Sequence, residues 1–208
     1  MVRITGPMLS MKAVGKLGDA IVYSHNKGRA YAKKLTRPKQ PRSASQMSKR
    51  ACLRWLALIW ISIGTTPRAS WNDMADAGRM SPHNAFLKFN LLRFARFRSP
   101  TLVYPPPETA APDNAPVISP TVNVRSIRIT INPDGTHPNW GYALFHSLAS
   151  PVVPSNRNLI AGVTAVGTAN VNWLHTPLKP DTYYYMARGF TLDGSWTPDS
   201  NEISALIS

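Results

Sequence analysis

The sequence predicts an α+β multidomain chain: an N-terminal β-hairpin with a three-helix basic domain, followed by an all-β sandwich. Three observations predict it. Apolar residues recur at helical spacing between 43 and 98 but alternate beyond 121. Seven prolines crowd residues 99–120, between the two patterns. Charge divides at the same place: residues 1–100 carry 19 Lys and Arg against three acids, residues 101–208 five against seven. The expected organisation is a basic arm and hairpin over 1–42, three helices over 43–98, a Pro-rich linker over 99–120 and the sandwich over 121–208.

The hairpin comes first. Ala20 to Tyr23 is β-prone, His25-Asn26-Lys27-Gly28 supplies turn residues, and Arg29 to Lys33 alternates back. The same segment also reads as a basic arm that orders only on a partner. Thr36 to Arg42 is a Pro-punctuated basic connector.

Ser43-Ala44-Ser45-Gln46 matches the capping-box spacing and opens a helix running to Ile63, with Gly64 as its stop. Met47, Ala51, Trp55, Leu58 and Ile59 set its apolar stripe. A second helix is expected from Thr66-Pro67 to Gly78 and a third from Ser81-Pro82, both starting with proline at the first helical position. Trp55, Trp71, Phe86 and Phe89 are the aromatic anchors of one small three-helix core. The prolines that follow should form a semi-rigid spacer that extends neither neighbour's secondary structure.

From Val122 the period changes. Val122–Val124, Ile127–Ile131, Trp140–His146, Leu159–Val163, Ala169–Leu174, Thr182–Phe190 and Glu202–Ile207 read as about seven strands separated by turns, the pattern of a β-sandwich.

Enzymatic chemistry finds no support in the residues. Ten acids are scattered, and Asp73 and Asp76 read as a solvated pair on one helix face. The five histidines show no metal-ligating spacing, and neither a nucleophile elbow nor a phosphate loop is present. The single Cys52 allows no internal disulfide and reads as a buried small hydrophobe. No cofactor is expected. Residues 1–15 lack the apolar core of a secretory signal, and the run from Ala51 to Gly64 is broken by Arg54 and too short to cross a bilayer, so a soluble protein without a membrane partner is expected.

The basic half is the remaining signal. Lys27, Arg29, Lys33, Lys34, Arg37, Lys39, Arg42, Lys49 and Arg50 fall within 24 residues and form the candidate site for an anionic partner. Phosphate neutralisation with Tyr23 or Tyr31 stacking on bases is one use. Docking on an acidic protein surface is the favoured one, because the run is rich in Pro and Ala and no helix displays a polar base-reading face. Trp140, Trp173 and Trp196 also have the chemistry to stack on sugars, although tryptophans in a sandwich are more often core or edge fillers.

Two family resemblances add to this reading. Leu178-Lys179-Pro180-Asp181-Thr182-Tyr183-Tyr184 resembles the L-x-P-x-T-x-Y motif of fibronectin type III domains, which implies an immunoglobulin-like sandwich with Tyr184 as its tyrosine corner. The family's usual Trp in the second strand is replaced by Ile129 or Ile131. The N-terminal part, about 6–98, resembles a group of small phage and prophage proteins through Gly15–Tyr23, Gly28-Arg29-Ala30-Tyr31, Pro38–Arg50, Trp55, Trp71-Asn72, Ala75 and Asn84-Ala85-Phe86. That implies a non-enzymatic virion protein, made in the host cytoplasm: a capsid-decorating or a neck or tail accessory protein. Its partners would be other virion proteins in a repeated or symmetric assembly. The tryptophan and helix spacing also faintly resembles high-mobility-group boxes. A nucleic-acid-binding protein with an accessory sandwich is the alternative.

Overall fold

The computed structural model describes residues 2–3, 15–17, 20–26, 29–35, 43–107, 114–133, 141–164, 169–191 and 194–208. The chain divides into two compact units, Met1–Pro41 and Arg42–Ser208.

The first unit is one antiparallel sheet. Strands β1 (Val2–Arg3), β2 (Gly15–Leu17), β3 (Ile21–Asn26) and β4 (Arg29–Lys34) lie in the order β1-β4-β3-β2. Asn26 pairs with Arg29, so the expected hairpin forms. Its turn residues Lys27 and Gly28 lie outside the described residues, as does the connector 36–42. The flanking strands went unread because two or three residues are too few for alternation to register.

The second unit opens with α1 (Ala44–Ser62). Ser48, Cys52, Trp55, Leu56 and Ile59 form its buried stripe. The expected capping box does not close: the Ser43 side chain makes no capping bond, and the Gln46 and Met47 N–H groups both donate to the Ser43 carbonyl. At the other end Arg68 donates to the carbonyls of Trp60 and Ile61, satisfying orphan acceptors of the last turn. The expected second helix is broken into α2 (Thr65–Ala69) and α3 (Asn72–Ala77). Trp71 sits at the break, fully buried, and its indole N–H donates to the Leu102 carbonyl. Helix α4 (Pro82–Ala95) starts as expected, with Ser81 Oγ accepting the Asn84 N–H.

At its described ends the Pro-rich stretch is packed structure rather than a spacer, and this corrects the expected architecture. Ser99, Thr101 and Leu102 are buried. Asn90, itself buried on α4, clamps Thr101 through both its side-chain amide and its carbonyl oxygen, at 3.1 and 2.8 Å. The far end of the stretch enters the first sandwich strand, β5 (Val117–Asn123), which contains Pro120. Proline is tolerated there because β5 is a sheet edge, where a missing N–H breaks no ladder.

Strands β5, β6 (Ser126–Asn132) and β9 (Val171–His175) form one sheet. Strands β7 (Gly141–Ser147), β8 (Leu159–Thr164), β10 (Asp181–Phe190) and β11 (Ile203–Ile207) form the other, in the order β11-β10-β7-β8. Trp140, Asp134 and Gly135 lie outside the described residues. Ile127, Ile129 and Ile131 alternate inward to meet Tyr142, Leu144, Tyr185 and Ala187, closing the sandwich core. The tyrosine corner falls on Tyr183 rather than Tyr184. Tyr183 Oη donates to the Lys179 carbonyl at 3.0 Å, while alternation turns Tyr184 to the opposite face, against the helices.

On β7 the five residues Gly141 to Phe145 are all buried, so both faces of the sheet are covered at this strand. Ala143, Phe145, Leu159 and Phe190 face away from the sandwich core and join Trp55, Leu56 and Ile59 of α1. The Trp55 ring lies edge-on to Phe190 at 5.2 Å and over Gly162, where a Cβ would stand 2.0 Å from the indole. Trp55 therefore serves the junction with the sandwich. The helical core itself rests on Trp71, Phe86, Phe89 and Tyr104. Phe97 takes a left-handed φ of 55° just past α4, and its ring packs on Phe145 and Trp196. That packing offsets the steric cost of a side chain in this conformation.

Candidate anionic-partner surface

Among the nine basic residues proposed from sequence, Lys27, Arg37, Lys39 and Arg42 lie outside the described residues. Arg29 is placed on β4 by its backbone. Lys33 and Lys34 are exposed neighbours on β4, so alternation sends them to opposite faces of the first unit's sheet. Lys49 and Arg50 are exposed on α1 in the second unit.

The second unit sorts its arginines by task. Arg68 caps α1. Arg93 donates to the carbonyls of Ser99 and Gly194, tying α4 to its own exit segment and to the turn before Trp196. Burial and the neighbouring Arg98 pull the Arg93 pKa down, yet guanidinium basicity keeps it charged. Arg188 pairs with Asp199, the one ion pair among the described residues, and lies over the Phe97 ring. Lys49, Arg50, Arg54 and Arg157, all exposed, have no acid partner among the described residues.

Helices α1 and α4 and the loop 148–158 contain no Asp or Glu. Between them lies an open groove of ≈ 550 Å³ lined by Ser45, Lys49, Leu53, Leu91, Phe94 and Arg157, with Ala95 and Asn156 completing it. Its walls are pinned: Ser48 Oγ donates to the Asn156 carbonyl at 2.9 Å, and Asn156 Nδ2 donates to the Ala95 carbonyl at 2.8 Å. Leu53 is 45% exposed. The site thus combines a fixed apolar floor with two unpaired cations. Sequence reasoning found Lys49 but missed Arg157 and Leu53, because only tertiary packing brings residue 157 against α1 and α4.

The other polar cluster lies at one end of the sandwich. His175 Nδ1 is 2.9 Å from Tyr185 Oη, and the His146 ring stacks on Tyr183. Burial, then the neighbouring His146, pushes the His175 pKa down to about 4. Burial also lowers that of His146, opposed by Asp181. Burial, then Tyr183, raises that of Tyr185. These are neutral rings filling a gap between the two sheets. Burial pushes the Cys52 thiol up to about 12, far from a reactive thiolate. Asp73 and Asp76 are exposed. No group of three or more His, Cys, Asp or Glu side chains converges on a metal position among the described residues, and no helix is long and apolar enough to cross a membrane. Trp173 is half-buried beside His175, and Trp196 is a junction residue whose indole N–H donates to the Phe97 carbonyl.

Two sheets of three and four strands, with β5-β6-β9 facing β11-β10-β7-β8, decide the fold of the C-terminal part. It is an immunoglobulin-like sandwich. Several solved structures are similar to it. A fibronectin type III-like protein from Clostridium thermocellum is 22% identical, covering 48% of this chain and 96% of its own, with a TM-score of 0.36. The chicken interferon gamma receptor alpha chain is 13% identical over 45% of this chain, with a TM-score of 0.36. This chain spans half of that receptor chain's length. No family model and no curated protein matches the chain.

Proposed function

We propose that the chain is a non-enzymatic structural protein of a bacteriophage virion, a capsid-decorating or a neck or tail accessory protein, that holds an acidic partner through its basic N-terminal half. The observation that carries this reading is the separation of charge by task. The arginines that the fold consumes are few and bonded, while Lys33, Lys34, Lys49, Arg50 and Arg54 stand exposed without an acid partner among the described residues. Unpaired like charges cost stability through self-repulsion, which favours a binding role for them. The phage context rests on the residue pattern over 15–31 and 38–86. In a repeated assembly each contact is multiplied, so a weak salt-sensitive contact suffices.

The test is co-sedimentation of the purified chain with phage particles or assembled capsids and tails, titrated with salt. Binding that falls as salt rises, with no gel shift on duplex DNA, is the expected result. The nucleic-acid reading is favoured by the same lysines and arginines together with Tyr23 and Tyr31. Tight DNA binding with a steep salt slope would replace the structural role with that one.

A further inference from the structure

We infer that the groove between α1, α4 and the loop at 156–157 is the partner-binding site, and that its partner is an acidic, amphipathic protein segment. The inference rests on the reading above, that this chain docks on an acidic protein, and assigns the contact to named side chains.

Charge selects the ligand's sign. Lys49 of α1 and Arg157 of the loop both line the groove, both exposed and without an ion-pair partner among the described residues. Arg50 follows Lys49 on the same helix, and the carboxylate-free sequences of α1, α4 and the loop leave nothing local to neutralise them. The start of α1 adds to this field: it has no acidic residue in its first turn and no side-chain cap.

The floor selects the ligand's body. Leu53, Leu91 and Phe94 line the same groove as the cations, and Leu53 keeps nearly half its surface in water. A phosphate backbone has nothing to bury on such a floor. A segment with apolar side chains on one face and Glu or Asp beside them buries the leucines while pairing both cations. The two hydrogen bonds of Asn156 hold the walls at fixed spacing, so little ordering entropy is lost on docking.

The probe is a fluorescein-labelled helical peptide with leucines along one face and glutamates flanking them, titrated with the full chain and read by anisotropy. Controls are a glutamate-only peptide, the leucine peptide with Glu replaced by Gln, and a short DNA duplex. The leucine–glutamate peptide should bind at least about tenfold more tightly than either control peptide. The double change Lys49→Glu with Arg157→Glu should weaken it at least about tenfold, and Leu53→Ser should weaken it several-fold. Arg128→Glu, a charge reversal at an exposed position of β6 that does not line the groove, should leave it unchanged. All these positions are exposed, and unaltered circular dichroism verifies that each variant is folded. Affinity that ignores Leu53→Ser, or DNA that displaces the peptide through Lys49 and Arg157 alone, overturns the inference. Particle co-sedimentation of the same variants separates the two proposals. If the groove variants still co-sediment like wild type, the groove assignment falls and the virion reading stands. If wild type binds the peptide through the groove but ignores particles, the virion reading falls and the groove stands.

Discussion

The two faces of the sheet β11-β10-β7-β8 bury different cores. One face closes the sandwich with Ile127, Ile129 and Ile131 against Tyr142, Leu144 and Tyr185. The other meets α1 and the end of α4, with Trp55, Phe97 and Trp196 against Phe145 and Phe190. A free-standing sandwich leaves an outer sheet face to water. Here α1 and the end of α4 cover that face at β7, where Ala143 and Phe145 are fully buried, while Leu206 at the β11 edge stays exposed; the helices and the sandwich thus share one stabilising interface and are expected to unfold together.

Removing the ring that spans the interface tests this most severely. Trp55→Ala should cost about 3–5 kcal/mol, and helical and near-ultraviolet signals should still be lost in one denaturant transition. Two separate transitions in the wild-type protein would mean that the second core does not couple the parts. Gly162→Ala attacks the same contact from the strand, because the added Cβ meets the indole at 2.0 Å. It should destabilise by about 1–3 kcal/mol, measured as a shifted urea midpoint.

The sandwich's own end responds to acid. His175 and His146 sit between β9, β7 and β10, facing Tyr183, Tyr185 and Asp181, and both are harder to protonate folded than unfolded. The unfolded chain therefore takes up protons first as pH drops below about 6.5. Stability is complete above that pH and declines toward pH 4, by on the order of 1–2 kcal/mol once partial solvent exposure is allowed for. Urea midpoints across this range should show the decline, and His175→Phe should flatten it. The smallest expected effect separates two adjacent tyrosines. Tyr183→Phe loses the bond to the Lys179 carbonyl and should cost about 1 kcal/mol, whereas Tyr184→Phe should be nearly neutral.

Much of this architecture was legible in the chain. The alternation at 127–131 and 181–190 marks β6 and β10, and Ser81-Pro82 marks the start of α4, because each is a local signal set by side-chain period or cap chemistry. The Tyr184 assignment missed by one residue, since a motif match does not say which tyrosine faces the turn. The continuous apolar run at 141–145 carried a readable sign of a strand covered on both faces, and from it the helix–sandwich junction follows. The candidate groove was legible only in part: Lys49 belongs to a visible basic run, while Arg157 is isolated in the sequence.

By itself the sequence determined most of the elements, their order and the concentration of positive charge in the first hundred residues, because period, caps, prolines and charge act over a few neighbours. Tertiary structure alone decided that residues 99–104 pack as core, that Trp55 seats on Gly162, and that Arg157 comes to line one groove with Lys49. Those outcomes depend on contacts between residues up to about a hundred positions apart, where burial of apolar surface outweighs what any local pattern encodes.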